Sequence, residues 1–133
     1  MAERRIEIER PLSPHLGIYH FSITMVMSLL HRVTGCALYF GTVLLVWWLL
    51  AAASSSKQFD IISMIFASWF GQLVLFGYTW ALLHHMLGGV RHFIWDALYG
   101  LEPGEPELLG YATIVGSVVL TLVVWVLVYM LKS

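Results

Sequence analysis

Long stretches without a charged residue divide the sequence into three apolar segments. Residues 33–56, 61–90 and 108–131 contain no Asp, Glu, Lys or Arg. Each segment reaches the roughly 20 apolar residues that a membrane-spanning helix needs. Only helices and closed barrels satisfy their backbone polar groups in hydrocarbon, and none of the segments alternates as barrel strands do. The pattern therefore predicts an all-α membrane protein. Its three transmembrane helices are expected over 24–53, 61–91 and 108–131.

The positive charges indicate the orientation of these helices. Arginines 4, 5, 10, 32 and 91 fall at one end of the predicted bundle, and lysines 57 and 132 fall at the other. Because cytoplasmic segments carry the excess of positive charge, we expect the N-terminus on the cytoplasmic (matrix-equivalent) side and the C-terminus on the opposite side. Residues 1–23 then form a cytoplasmic or interfacial segment, and the chain, 1–133, is a single membrane-anchor domain.

The N-terminal segment resembles neither a secretory signal peptide nor a mitochondrial transit peptide. It has no apolar core followed by a cleavage site, and Glu3, Glu7 and Glu9 are unusual in the acid-poor transit peptides. We therefore expect a bacterial inner-membrane protein. A processed protein of the mitochondrial inner membrane would share this topology.

Composition excludes several classes of protein. With 59% hydrophobic and 11% charged residues, the chain is too apolar for a soluble domain of this size. A net charge of −1 gives no indication of nucleic-acid binding. The single cysteine, Cys36, excludes an internal disulfide and a cysteine-built metal centre within this chain, and we expect it to be a small packing residue.

A first polar cluster lies near the start of the first predicted helix. Ser28 and Arg32 are four residues apart and therefore share a helix face. A hydroxyl beside a guanidinium at the inner edge of the membrane suits the carbonyl of a quinone that arrives from the bilayer. The alternative is that Arg32 only marks the helix end and extends to lipid phosphate.

A second cluster spans residues 84–92. Neutral imidazole is the usual axial ligand of a b-type haem, and Gly88 and Gly89 follow His85 by three and four residues. They leave a strip without side chains, as a flat macrocycle requires. The alternative is a packing patch of small residues, with histidines that hydrogen-bond across helices. His84 points about 100° away from His85, so the two cannot ligate one iron, and spacing favours His85 only weakly.

Depth in the membrane determines which residues can meet a haem at His85. His85 precedes Arg91 by six residues, about 9 Å of rise, so haem propionates can point back toward cationic His31, Arg32 or Arg91. We expect His31 to lie near the interface, about two turns from the depth of His85. No other histidine of the chain is then placed to be a second axial ligand, which predicts a hetero-oligomer.

Two segments resemble the signatures of the cytochrome b556 subunit of succinate dehydrogenase. The first comprises Arg10-Pro11-Leu12, Leu16, Ile23, Ser28, His31-Arg32 and Thr34, and the second comprises His85, Gly89-Val90-Arg91-His92 and Trp95-Asp96. They cover the first two predicted helices, whereas the third helix matches only in length and apolar character. The resemblance implies the large membrane-anchor subunit of succinate:quinone oxidoreductase, respiratory complex II. Members of this family share one haem b with a second small anchor subunit and form part of the ubiquinone-reduction site.

The resemblance also implies roles for individual residues. These are His85 as the axial haem ligand, Ser28 and Arg32 at the quinone, and His31, Arg32, Arg91 and His92 around the haem propionates. The second small anchor subunit would supply the other haem ligand, and an iron–sulfur subunit and a flavoprotein subunit would complete the enzyme. The chain is then a subunit of an enzyme without a catalytic, succinate-oxidising residue of its own.

Two alternatives belong to other functional classes. The anchor subunit of a quinol:fumarate reductase would run the same electron path in reverse. A non-redox membrane subunit would bind no haem and use its glycines for packing. A transporter would show a broken helix or a repeat at the midplane, and we expect neither.

Overall fold

The computed structural model describes residues 20–132, so most of the segment predicted over 1–23 lies outside the described residues. Within 20–132 the chain is helical and contains no strand. Its helices are α1 (Ile23–Ser54), α2 (Ser56–Ala67), α3 (Trp69–Asp96) and α4 (Glu105–Lys132). By length and composition α1, α3 and α4 are each able to cross a membrane. The all-α class and the three candidate spans are therefore confirmed.

The second apolar segment forms two helices where the sequence predicted one. Ser68 ends α2 and caps α3. Its hydroxyl donates to the Ile65 carbonyl and accepts the Gly71 amide at 3.1 Å, and the Gln72 side chain donates to the Phe66 carbonyl at 2.7 Å. Lipid offers no hydrogen bonds to a free backbone group. These side chains therefore make the break possible, because they satisfy the backbone groups that it releases.

The prediction of one continuous helix over 61–91 is thus wrong at Ser68, where α2 ends and α3 begins. The 28 residues of α3 rise about 42 Å, which exceeds the roughly 30 Å of the hydrocarbon core. The break therefore lies at the end of a helix that can span the membrane without α2, and it is not the midplane break of a transporter.

The buried face of α4 is small and polar, and its outer face is apolar. α1 and α3 each contact all the other helices. On α4 the buried face consists of Gly110, Thr113, Ser117 and Thr121, whereas most of its valines and leucines are exposed. Small residues let the helix backbones approach closely, as is usual between helices in lipid. The sequence indicates a uniformly apolar segment here, but α4 has a distinct small and polar face that packs against the other helices.

The ends of the helices are fixed by local hydrogen bonds. The Ser22 hydroxyl accepts the Met25 amide at 3.4 Å at the start of α1. Glu105 begins α4 three residues before the predicted position, and its carboxylate accepts the Glu102 amide at 3.1 Å. This last contact resembles the reciprocal half of a capping box.

Candidate functional site

Three histidines meet where the first turns of α1 approach the last turns of α3. The ring of His31 stacks on the ring of His85, with centroids 3.9 Å apart and planes 19° from parallel. His92 meets the His31 ring edge-on, with centroids 5.4 Å apart. The structure thus brings together three of the residues that the sequence singled out.

The expectation that His31 lies two turns from the depth of His85 is wrong. The sequence places Arg32 and Arg91 at one end of the predicted bundle, and the expected depth of His85 came from its six-residue separation from Arg91. In the structure Ile23, Met27 and the Arg91 guanidinium all lie within 4 Å of the position that a Cβ on Gly110 would occupy. Arg91 is therefore close to the first residues of α1. Arg32 and Arg91 therefore lie at different depths along the bundle axis, whereas His31 and His85 lie at the same depth.

The two neighbouring glycines of α3 have different surroundings. A Cβ on Gly88 would overlap the Cδ2 atom of His31, whereas a Cβ on Gly89 would meet nothing within 4 Å. Gly88 therefore admits the His31 ring to the α1–α3 contact, as the packing interpretation requires. No contact within the described chain accounts for Gly89, and the space beside it is open.

Hydrogen bonds determine which nitrogen of His85 carries the proton. Its Nδ1 lies 3.1 Å from the His31 carbonyl oxygen and 3.3 Å from the Thr34 hydroxyl oxygen. A carbonyl only accepts, so Nδ1 is the donor. In the neutral ring the lone pair is then on Nε2. His85 is partly exposed, and a Cβ on Gly35 would stand 3.1 Å from its Cε1.

The adjacent histidine, His84, faces the interior. It is 1% exposed, and its Nδ1 lies 3.2 Å from the Ser117 hydroxyl, which itself donates to the Ile114 carbonyl at 2.9 Å. The Trp80 ring lies 5.2 Å away between centroids. The Nε2 of His84 is buried without a hydrogen-bond partner among the described residues. The protein itself therefore encloses His84 and leaves His85 open.

The two arginines also differ in environment. Arg91 is 4% exposed, its guanidinium lies 4.9 Å from the centroid of the Trp95 ring, and its Nε has no hydrogen-bond partner among the described residues. Arg32 and Ser28 are both exposed on α1, on the shared face that their spacing predicts. Of the two arginines, only Arg32 is accessible from outside the bundle.

Sequence reasoning missed the residues that support the histidines. Thr34 and Gly35 follow His31 by three and four residues, which is a readable signal that they share a helix face with it. Ser117 gave no such signal, because it stands in an apolar run of another helix and meets His84 only through packing.

An apolar crevice of about 360 Å³ lies elsewhere, between α1, α2 and α3. Its walls are side chains such as Leu44, Trp48 and Val74. None of the predicted site residues lines it, so it adds nothing to the site at the histidines.

Comparisons with known proteins agree over most of the chain. Residues 7–124 match the family model of the succinate dehydrogenase/fumarate reductase transmembrane subunit. The chain is 41% identical over 111 residues to the succinate dehydrogenase cytochrome b556 subunit of Paracoccus denitrificans, with 84% of this chain and 85% of that protein covered. It is 36% identical over 124 residues to the Rickettsia prowazekii protein of the same name, with 93% and 97% covered. It is 33% identical over 113 residues to the mitochondrial cytochrome b560 subunit of Bos taurus, with 84% and 67% covered.

Proposed function

Because the chain belongs to the family of succinate dehydrogenase/fumarate reductase transmembrane subunits, we propose that it is the large membrane-anchor subunit of a succinate:quinone oxidoreductase. In this role it holds a haem b together with a second small anchor subunit and forms part of the ubiquinone-reduction site. The observation that carries the proposal is the environment of His85.

The residues around His85 fit a b-type haem. A haem ligand presents one ring nitrogen to the iron and donates the other N–H to a fixed acceptor. His85 has this arrangement, with Nδ1 bonded to the His31 carbonyl and Nε2 left as the ligating atom. Gly89 leaves space on the same side of α3. When bound, the haem supplies an iron that takes up and releases one electron near the quinone.

Cationic and hydrogen-bonding residues beside His85 are suited to the haem propionates. The Nε2 of His31 is buried without a partner among the described residues and can donate to a carboxylate. His92 is exposed and contacts the His31 ring, and Arg32, the next residue of α1, is exposed as well. Arg91 is the weaker propionate contact, because it is turned toward α4 and the Trp95 ring.

The second axial ligand would come from the small anchor subunit. His31 and His85 present ring faces to each other, so their nitrogens do not point at a common atom between them. One histidine from this chain and one from its partner would complete the ligation, and the iron–sulfur and flavoprotein subunits would deliver electrons from succinate.

Ser28 and Arg32 would bind the quinone from the exposed face of α1. The Ser28 hydroxyl donates a hydrogen bond to a quinone oxygen, and the Arg32 guanidinium stabilises the negative charge that develops as the ring is reduced. The excess of arginine at this end of the helices favours the cytoplasmic side of a bacterial inner membrane. In this orientation the quinone site, near the N-terminal end of α1, would lie on the cytoplasmic side.

A spectrum of the purified complex tests the haem. We expect the dithionite-reduced minus oxidised spectrum to show a b-type α band equivalent to one haem per complex. A fully assembled complex without this band would instead indicate a non-redox anchor, with Gly88 and the histidines used only for packing.

The quinone site is tested by removing its two polar groups. We expect Ser28→Ala and Arg32→Leu each to lower succinate:quinone reductase activity, by up to about a hundredfold for a lost charge-stabilising donor. Succinate oxidation by an artificial dye should stay unchanged. Ser54→Ala is the matched control, because Ser54 is an exposed serine at the other end of α1. Unchanged quinone turnover in both site variants would exclude this quinone site.

A further inference from the structure

We propose that Thr34 is a positioning residue for His85. Together with the His31 carbonyl it holds the proton of His85 on Nδ1, leaves the lone pair on Nε2 and tunes the haem potential. This inference rests on the proposed function, because it assigns Thr34 a role toward the haem that His85 would ligate.

The contacts of Thr34 leave its oxygen available to His85. Thr34 is 1% exposed, and its Oγ1 lies 2.8 Å from the Leu30 carbonyl and 3.1 Å from the His31 carbonyl. The single hydroxyl proton is therefore given to a carbonyl. The lone pairs of Oγ1 remain as acceptors for the Nδ1–H of His85 at 3.3 Å.

The two acceptors around Nδ1 exclude the other tautomer. If the proton were on Nε2, the lone pair of Nδ1 would face the His31 carbonyl oxygen at 3.1 Å without a hydrogen between them. A rotated Thr34 hydroxyl would then have to leave the Leu30 carbonyl to donate to Nδ1. With the proton on Nδ1, the Thr34 hydroxyl keeps its bond to the Leu30 carbonyl and Nδ1 donates to the two oxygens that face it.

A second threonine of α1 shows what is particular to Thr34. Thr42 donates to the Leu38 carbonyl at 2.8 Å, as Thr34 does to Leu30, yet Thr42 is exposed. The bond to the preceding turn is therefore common to both threonines. Of the two, only Thr34 also contacts a histidine nitrogen. Comparing variants of Thr34 and Thr42 therefore separates the effect of losing the bond within the helix from the effect of losing the contact with His85.

Loss of the Thr34 hydroxyl should change the electronic character of His85. A hydrogen bond from the far ring nitrogen raises the basicity of the ligand, and a more basic ligand favours ferric over ferrous iron. Thr34→Val keeps the shape of the side chain and removes one of two acceptors. The Nδ1–H then has one acceptor instead of two and the ring becomes less basic, so the haem midpoint potential should rise.

The test is a redox titration of the α band in the assembled complex. We expect Thr34→Val to raise the midpoint potential by about 59 mV, which corresponds to a tenfold change in the ratio of ferric to ferrous affinity for one electron. Thr34→Ser restores the hydroxyl and should return the potential toward the wild-type value. Thr42→Val should not change it.

The possible outcomes separate this inference from the proposed function. An unchanged potential in Thr34→Val would overturn the role of Thr34, while the haem and its ligand would stand. If the valine variant fails to assemble, the same comparison between Thr34→Ala and Thr34→Ser decides the question. A haem band that survives His85→Leu would instead overturn the assignment of His85 as this chain's ligand, and with it the role of Thr34. An assembled wild-type complex without the band would contradict the proposed function itself.

Discussion

Replacing His85 by leucine should abolish the b-type α band of the purified complex, whereas replacing His84 by leucine should leave the band in place. Leucine cannot ligate iron, and His85 is the partly exposed histidine whose Nδ1 bond to the His31 carbonyl leaves the lone pair on Nε2. His84 is enclosed between α3 and α4 against Ser117. After His85→Leu this chain would supply no bond to the iron, and the partner subunit's ligand alone should not hold the haem.

His84→Leu serves as the matched control for this prediction. It introduces the same side chain one residue away and removes a buried nitrogen that has no partner among the described residues, so it should cost little stability. Co-purification of the other subunits must show that both variants assemble. A band lost in His84→Leu and kept in His85→Leu would transfer the ligand assignment to His84.

Replacing Gly71 by alanine should weaken the joint between α2 and α3. A Cβ at this position would overlap the Ile65 carbonyl oxygen and the backbone of Phe66. Backbone atoms cannot swing aside as a side chain can, so the break at Ser68 would have to reshape. Overpacking of this kind costs about 1–3 kcal/mol. We expect a lower thermal unfolding midpoint for the purified complex.

Gly77→Ala provides the comparison within the same helix. A Cβ on Gly77 meets nothing within 4 Å, and alanine is favoured over glycine in a helix by about 1 kcal/mol. This variant should be as stable as the wild type or more so. Equal unfolding midpoints for Gly71→Ala and Gly77→Ala would show that the joint does not depend on the missing Cβ.

The sequence predicted the spans because lipid imposes a simple rule on composition. A charge-free apolar segment of sufficient length must be a helix in hydrocarbon, and α1, α3 and α4 follow this rule. The break at Ser68 does not follow from composition. It depends on whether individual side chains, such as Gln72 and Ser68 itself, satisfy the released backbone groups, and that depends on three-dimensional geometry.

The candidate site was predictable in its residue types and not in its arrangement. His85 and Gly89 were recognisable from local spacing and from the family resemblance. Which of His84 and His85 can ligate a haem depends on which side of α3 faces α4. The depth of His31 depends on the packing of its ring against Gly88. Both are properties of helix packing, and an isolated sequence does not encode them in its spacing.

α4 is polar on its buried face and apolar on its exposed face, and this determines which substitutions the helix tolerates. Its outer residues, such as Val119, Leu122 and Val126, are exposed, and in a bilayer they would contact only fluid acyl chains or a neighbouring subunit. Exchanges among valine, isoleucine and leucine there should be nearly neutral wherever lipid is the neighbour. Enlarging Ser117 or Thr121 would instead push two backbones apart. Substitutions on α4 should therefore be tolerated at the exposed apolar positions and not at the buried Ser117 and Thr121.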